Sequence, residues 1–210
     1  MKNCHKMKKL SSCLVVAALI FCLSCNNGSS SDSSAAAKDS NAVKIDSTAA
    51  HDTTASAATA MPATVSKADA DFVVNTANAG MTEIKAGQIA ESSGTAKDVK
   101  EYGAMMVKDH SAAADKLKEI ADAKHITLPA DLSNDSQQAI TDLSKKSGKD
   151  FDKNYLDMMV SDHKKVISAF EDETKNGSDA DIRAFAESTL HTLRKHLDEA
   201  QKCQKMEKTM

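Results

Sequence analysis

Two kinds of patterning divide the chain. From Asp69 onward apolar residues recur every three or four positions, the period of an amphipathic helix, and the stretch before it has no such repeat. A first helix is predicted from about Asp69 to Glu91, with Val73, Thr76, Gly80, Glu83, Gly87 and Ala90 on one stripe; Ser92-Ser93-Gly94 ends it. A second runs from about Thr95 to Lys124 along Val99, Gly103, Met106, His110, Ala113, Leu117 and Ile120. After Leu128-Pro129 comes a shorter helix from about Asn134 to Lys146, closed by Ser147-Gly148. A third long helix, Lys149 to Lys175, carries Leu156, Met159, His163, Val166 and Phe170. Asn176-Gly177 breaks it, and Ser178 is the expected N-cap of a last helix that aligns Ile182, Ala186, Thr189, Leu193, His196, Ala200 and Cys203.

These lengths constrain the topology. Short links make helices one and two antiparallel, and likewise three and four, whereas the link of about 24 residues between two and three is long enough to run back along a bundle. Helices two and three then start at the same end, and His110 and His163 share a level. Glu83 and His196 share another, about 7–8 Å away at 1.5 Å rise per residue. Helical side chains lean toward their own N-terminus, so the two pairs, on oppositely directed helices, lean toward each other. Gly80 and Gly87, one turn either side of Glu83, are expected to let neighbouring helices approach that carboxylate.

The second and third helices also share a motif. Tyr102-Gly-Ala-Met-Met-Val-Lys-Asp-His110 recurs 53 residues later as Tyr155-Leu-Asp-Met-Met-Val-Ser-Asp-His163, with the tyrosine, the Met-Met-Val run and the Asp-His pair retained. The bundle therefore reads as two related halves.

Three imidazoles and a carboxylate suit zinc, copper, iron or nickel, so Glu83, His110, His163 and His196 are the candidate metal ligands. Asp109 and Asp162 are candidates to orient the imidazoles beside them. Met106 and Met159 bring soft thioethers that favour copper(I). The competing reading is a metal-free His/Glu network that sets the register of the two halves, with the methionines as core filling and the aspartates on a solvated face. His51, His125 and His191 fall off the stripes and are expected to be surface residues.

Composition agrees with a helical body. There is no Trp, and two Tyr and seven Gly are too few for a sandwich or barrel. A net charge of -3 gives no nucleic-acid surface. The N-terminus looks like an address: Lys2, Lys6, Lys8 and Lys9 precede the apolar run Leu10 to Leu23, too short for a permanent span but suited to export. Ser24-Cys25 resembles a bacterial lipoprotein cleavage site, so residues 1–24 are read as a signal peptide and Cys25 as the lipidated residue; plain secretion is the alternative. Cleavage would leave 23 basic and 30 acidic residues, a net charge of -7, so acyl chains rather than charge would hold the protein to the membrane. Cys203 would then be the one cysteine with a free thiol, and an internal disulfide is not expected. Residues 25–68 are rich in Ser, Ala and Thr and are expected to form a disordered tether of roughly 35–40 Å. The bundle takes residues 69–203 and a tail 204–210. The expected location is the cell envelope, facing the periplasm; no sequence feature identifies a protein partner.

Asp71-Phe72-Val73, Gly80-Met-Thr-Glu83, Gly87, the repeated Met-Val-x-Asp-His pair, Leu128-Pro129, Phe151-Asp152, Phe170-Glu171, Phe185-Ala186, Thr189-Leu190 and His196-Leu197 together resemble the bacterial family known as domain of unknown function 4142. The resemblance covers about Asp69 to Lys202. It implies an all-α, ferritin-like four-helix bundle with a long crossover containing a short helix, in exported or lipid-anchored proteins, and brings no established reaction. Where the family commonly has Pro after Thr-Leu, this chain has His191. Di-iron bundles use Glu-x-x-His pairs, which do not occur here, so oxygen activation and iron oxidation are not expected. No phosphate loop, nucleophile elbow or zinc-spaced Cys pair points to an enzyme. The expected role is metal handling or envelope stress, or else a structural or interaction module.

Overall fold

Four long apolar stripes need one another for burial, and in the computed structural model of the protein they meet as a bundle. It describes residues 32–49 and 65–207; the expected signal peptide, Cys25, His51, the rest of the expected tether and residues 208–210 lie outside the described residues. Among the described residues there are six helices and no strand: α1 (Ser33–Ala49), α2 (Lys67–Ser93), α3 (Lys97–Ala123), α4 (Asn134–Ser144), α5 (Gly148–Asn176) and α6 (Ala180–Glu207). None is long and apolar enough to cross a membrane.

Local chemistry sets the ends. Ser66 caps α2 by accepting from the Asp69 amide, and Ser133 caps α4 by accepting from that of Ser136. At the end of α3, His125 adopts a left-handed φ of 57°, and the Ile126 amide reaches back to the Ala121 carbonyl at 2.8 Å. That 6→1 bond, with the His125 amide on the Asp122 carbonyl, is a Schellman closure with histidine in the place glycine usually holds. The expected Ser178 cap is corrected to Asp179, whose Oδ1 receives the amides of Asp181 and Ile182. Helix α6 also continues through residues 204–207, which the sequence reading gave to a tail.

Asp69 and Asp152 fix the arrangement. Asp152, the fifth residue of α5, accepts from the amides of Thr95 and Ala96 in the α2–α3 turn, at 2.8 and 2.9 Å. Asp69, in the first turn of α2, accepts from the amides of Ser178 and Asp179 in the α5–α6 turn, at 3.0 and 2.9 Å. Each hairpin thus clamps the turn of the other. The starts of α3 and α5 lie at one end and those of α2 and α6 at the opposite end. α2 packs on α3 and α5, and α6 on α5 and α3, so α3 and α5 are parallel and diagonal, as the crossover argument requires. This is the one-crossover plan of ferritin-like bundles, with α4 in the crossover.

The expected disorder of the tether is corrected over residues 33–49. Helix α1 buries Ser34, Ala37 and Asn41 on one stripe. The Asn41 amide both donates to the Thr127 carbonyl (3.0 Å) and accepts from the Thr127 amide (2.7 Å). Small side chains and a paired amide seat it against the α3–α4 connection, with little large apolar surface needed.

The core is split in two. Phe72, Phe170, Phe185, Leu117 and Ile182 belong to one cluster; Tyr102, Tyr155, Phe151, Met106 and Met159 belong to the other. On all four long helices the layer of Glu83, His110, His163 and His196 falls between them.

Candidate metal centre

The heptad-like stripes that bury Val99, Met106 and Leu117 on α3 also bury His110, because three- and four-residue steps place it on the same face. His163 on α5 and His196 on α6 are carried inward in the same way. The three imidazoles meet: ring centroids are 5.6 Å apart for His110 and His163, 5.1 Å for His110 and His196, and 5.5 Å for His163 and His196. One nitrogen from each lies within 4.8 Å of the others. His163 and His196 are wholly buried, His110 is 6% exposed and Glu83 2%.

Each ring has one nitrogen engaged and one free. His163 Nδ1 donates to the Met159 carbonyl at 2.9 Å, since a carbonyl only accepts. His196 Nε2 lies 3.0 Å from Asp109 Oδ2, and His110 Nδ1 lies 3.1 Å from Glu83 Oε2. Nε2 of His110, Nε2 of His163 and Nδ1 of His196 are buried without a hydrogen-bond partner.

The carboxylates divide differently from the sequence expectation. Glu83 is not in the group of converging ligand atoms. It lies against two imidazoles, with Oε1 3.4 Å from His163 Nδ1, whose hydrogen goes to Met159 instead. Asp109 does orient an imidazole, but that of His196 on α6 rather than its neighbour in sequence. Asp162 remains partly exposed, 3.4 Å from Lys165. Met106 and Met159 are fully buried in the tyrosine-containing cluster, and the Met159 backbone is what touches the site. His125 and His191 are exposed, as expected.

Burial sets the electrostatics. It pulls His110 down to about 3, helped by His196 and His163, and His163 down to about 4, helped by His196. It lowers His196 as well, against the opposing pull of Asp109. The rings are therefore neutral at pH 7, the form in which imidazole binds a metal. Glu83 is pushed up to about 8, by burial first and then by the nearby Asp162.

Glu83 also stands between two cavities. One, of about 200 Å³, has the polar residues Asn78, Thr82, Ser136 and Asp162 in its lining. The other, of about 240 Å³, is mainly apolar and has Glu83 and His110 in its lining. The two glycines beside Glu83 differ accordingly. A Cβ on Gly87 would come within 2.8 Å of the Gly103 carbonyl, so α2 and α3 touch there through their backbones. A Cβ on Gly80 would meet nothing within 4 Å, so the expected close approach is absent at that position.

The sequence profile of the family described as Domain of unknown function (DUF4142) matches residues 54–203, and the chain belongs to that family. No curated protein matches the chain, and neither does any solved structure.

Proposed function

We propose that this member of the family binds one transition-metal ion through His110, His163 and His196, with Glu83 and Asp109 holding the rings in place. One observation carries the reading: three buried imidazoles from three helices bring one nitrogen each within 4.8 Å of the others, and each ring keeps one nitrogen without a hydrogen bond. Leaving a buried acceptor unsatisfied costs about 1–3 kcal/mol, and a cation satisfies all three together. The outer nitrogens support it further, because imidazole ligands characteristically give their second nitrogen to a carboxylate or carbonyl, as these do. Three nitrogen donors suit zinc or copper and leave a fourth position open. Ligands at ~2.0–2.1 Å from zinc sit roughly 3.4 Å from one another, so binding would draw the rings inward by about an ångström.

Two further parts of the proposal concern location and role. Cationic residues, an apolar run and Ser24-Cys25 support export and acylation of Cys25, which intact-mass analysis of the mature N-terminus tests. A bundle tethered in the envelope with a three-imidazole site supports metal handling there.

Elemental analysis after loading and dialysis tests the centre. About one zinc or copper ion per chain is expected in the native protein, and none in His110→Ala/His163→Ala. A second reading, a purely structural network, is favoured by the Glu83–His110 and Asp109–His196 contacts. It predicts no retained metal and a loss of stability in the double variant regardless of metal.

A further inference from the structure

The two mutual clamps differ by one side chain. The interval that carries Asp69 to Asp152 also carries Gly94 to Gly177 and Ala90 to Glu173, and the turns share a backbone: φ and ψ are -57° and 143° at Gly94, -58° and 144° at Gly177. In each, the glycine amide closes the helix on the carbonyl four residues back at 2.9 Å, that of Ala90 in one and of Glu173 in the other. Alanine serves at that position, so the clamp has no structural need of a carboxyl group there.

Glu173 nevertheless folds inward. It is 6% exposed, and its carboxyl group fills the place that a Cβ on Gly177 would take. It comes within hydrogen-bonding reach of the Asp69 carboxylate, which is buried and already holds the Ser178 and Asp179 amides. Two ionised carboxylates have no hydrogen to share, so one of the pair keeps a proton. The amides favour charge on Asp69, whereas Glu173 Oε1 has no hydrogen-bond partner among the described residues, and the proton therefore belongs on Glu173.

The surrounding charges do not neutralise the pair. Asp172 on α5 adds to the repulsion; Arg183 on α6 opposes it, but its Nη1 is engaged by the Gly177 and Ser178 carbonyls, both at 2.8 Å. Lys124, at the end of α3, is bound to Asp179 and Asp181 at 2.8 and 2.6 Å. Burial first and then Asp69 push Glu173 up to about 7, so its charge changes near neutral pH.

We propose that Glu173 and Asp69 form a proton-operated latch on the α5–α6 turn. With one proton between the two carboxyl groups, Glu173 lies against Gly177 and the turn is closed on α2. Loss of that proton sends Glu173 out to solvent and loosens the turn, while the α2–α3 turn, clamped by Asp152 alone, does not respond. A group whose pKa is raised by folding stabilises the closed turn below its ordinary value of 4.5, and that contribution is lost as pH rises through 7.

Amide hydrogen exchange of the full-length protein, followed by NMR and corrected for the intrinsic pH dependence of exchange, tests the latch. Between pH 6 and 8.5 the protection of Ser178 and Asp179, taken relative to Thr95 and Ala96 in the same sample, is expected to fall roughly tenfold, the change that a rise from 4.5 to about 7 allows over that range. Glu173→Gln keeps the shape and has no proton to lose, and Glu173→Ala copies the other hairpin; in both, the ratio is expected to stay constant. A constant ratio in the native protein overturns the latch, and so does a fall that persists in either variant. If neither variant folds, the carboxyl carbon of Glu173 in the native protein decides: a titration midpoint near 7 supports the latch, and one at the ordinary 4.5 overturns it. The imidazoles take no part, so this result and that of metal loading are independent.

Discussion

On one side of the imidazole layer α2 and α3 touch backbone to backbone; on the other they part around a cavity. The tight half is built on Gly87 against Gly103, with Tyr102 and Tyr155 edge to face at 6.0 Å and Phe151 stacked on Tyr155. The open half has the phenylalanines, with Phe72 edge to face on Phe170 at 4.9 Å, and a wall of small residues that leaves volume unfilled. One helix pair thus gives close backbone contact below a polar layer and open volume above it. The difference rests on where a missing side chain meets a neighbour and where it does not.

The largest effect is expected from changing the charge of the layer between the halves. A folded His pKa below its ordinary value means that the unfolded chain takes up protons first, so the three imidazoles destabilise the metal-free protein as pH falls below about 6.5. Glu83, and Glu173 raised to about 7 by burial and then by Asp69, work the other way: their contribution is present below about 4.5 and is lost as pH rises through 7 to 8. Between 4.5 and 6.5 the two slopes oppose each other. Thermal melts of metal-free protein should show a stability maximum in that window, a steep fall below it and a shallower fall above it. A monotonic rise from pH 4 to 9 would contradict the burial of Glu83 as described.

Next in size is truncation of an aromatic ring. Phe151→Ala in the tight half is expected to cost about 3–5 kcal/mol by denaturant unfolding. Phe185→Ala in the open half should cost less, because part of its surface already faces the cavity and it has fewer contacts to lose. Equal losses would mean that the halves are packed alike. The two glycines beside Glu83 sharpen the same point by sign. Gly87→Ala forces backbones apart and should destabilise by about 1–3 kcal/mol, whereas Gly80→Ala enters open space and should stabilise by about 0.5–1 kcal/mol. The smallest change lies outside both halves: His125→Gly relieves a left-handed residue at the end of α3 and should add a few tenths to about 1 kcal/mol.

Much of the bundle was legible because its signals are local. Ser-Gly and Asn-Gly breaks placed the long helices to within a few residues, and the length of the crossover placed His110 and His163 on parallel helices at one level. The inward position of all three imidazoles followed from period alone. What stayed hidden depends on side-chain geometry or small volumes. Glu83 was read as a ligand because height along a helix says nothing about which rotamer brings a carboxylate to a metal and which brings it to a ring edge. Asp109 was read as a partner for the imidazole beside it in sequence, but one residue along a helix is a turn of 100°, and it reaches His196 of the neighbouring helix instead. Helix α1 escaped notice because its buried stripe, Ser34, Ala37 and Asn41, has no large apolar member. The mutual clamps were readable in principle: Asp69 and Asp152 are separated by the same interval as Gly94 and Gly177, a second repeat that relates the two hairpins. The cavity was not, since no residue marks an absence of volume except Gly80, whose helix-mate Gly87 does the opposite.

X-ray absorption at the zinc edge of the loaded full-length protein tests the centre most directly. Three nitrogen neighbours at about 2.0–2.1 Å with the outer-shell pattern of imidazole, reduced in His163→Ala, are the predicted result. A spectrum of oxygen neighbours alone, or one unchanged in that variant, would contradict it.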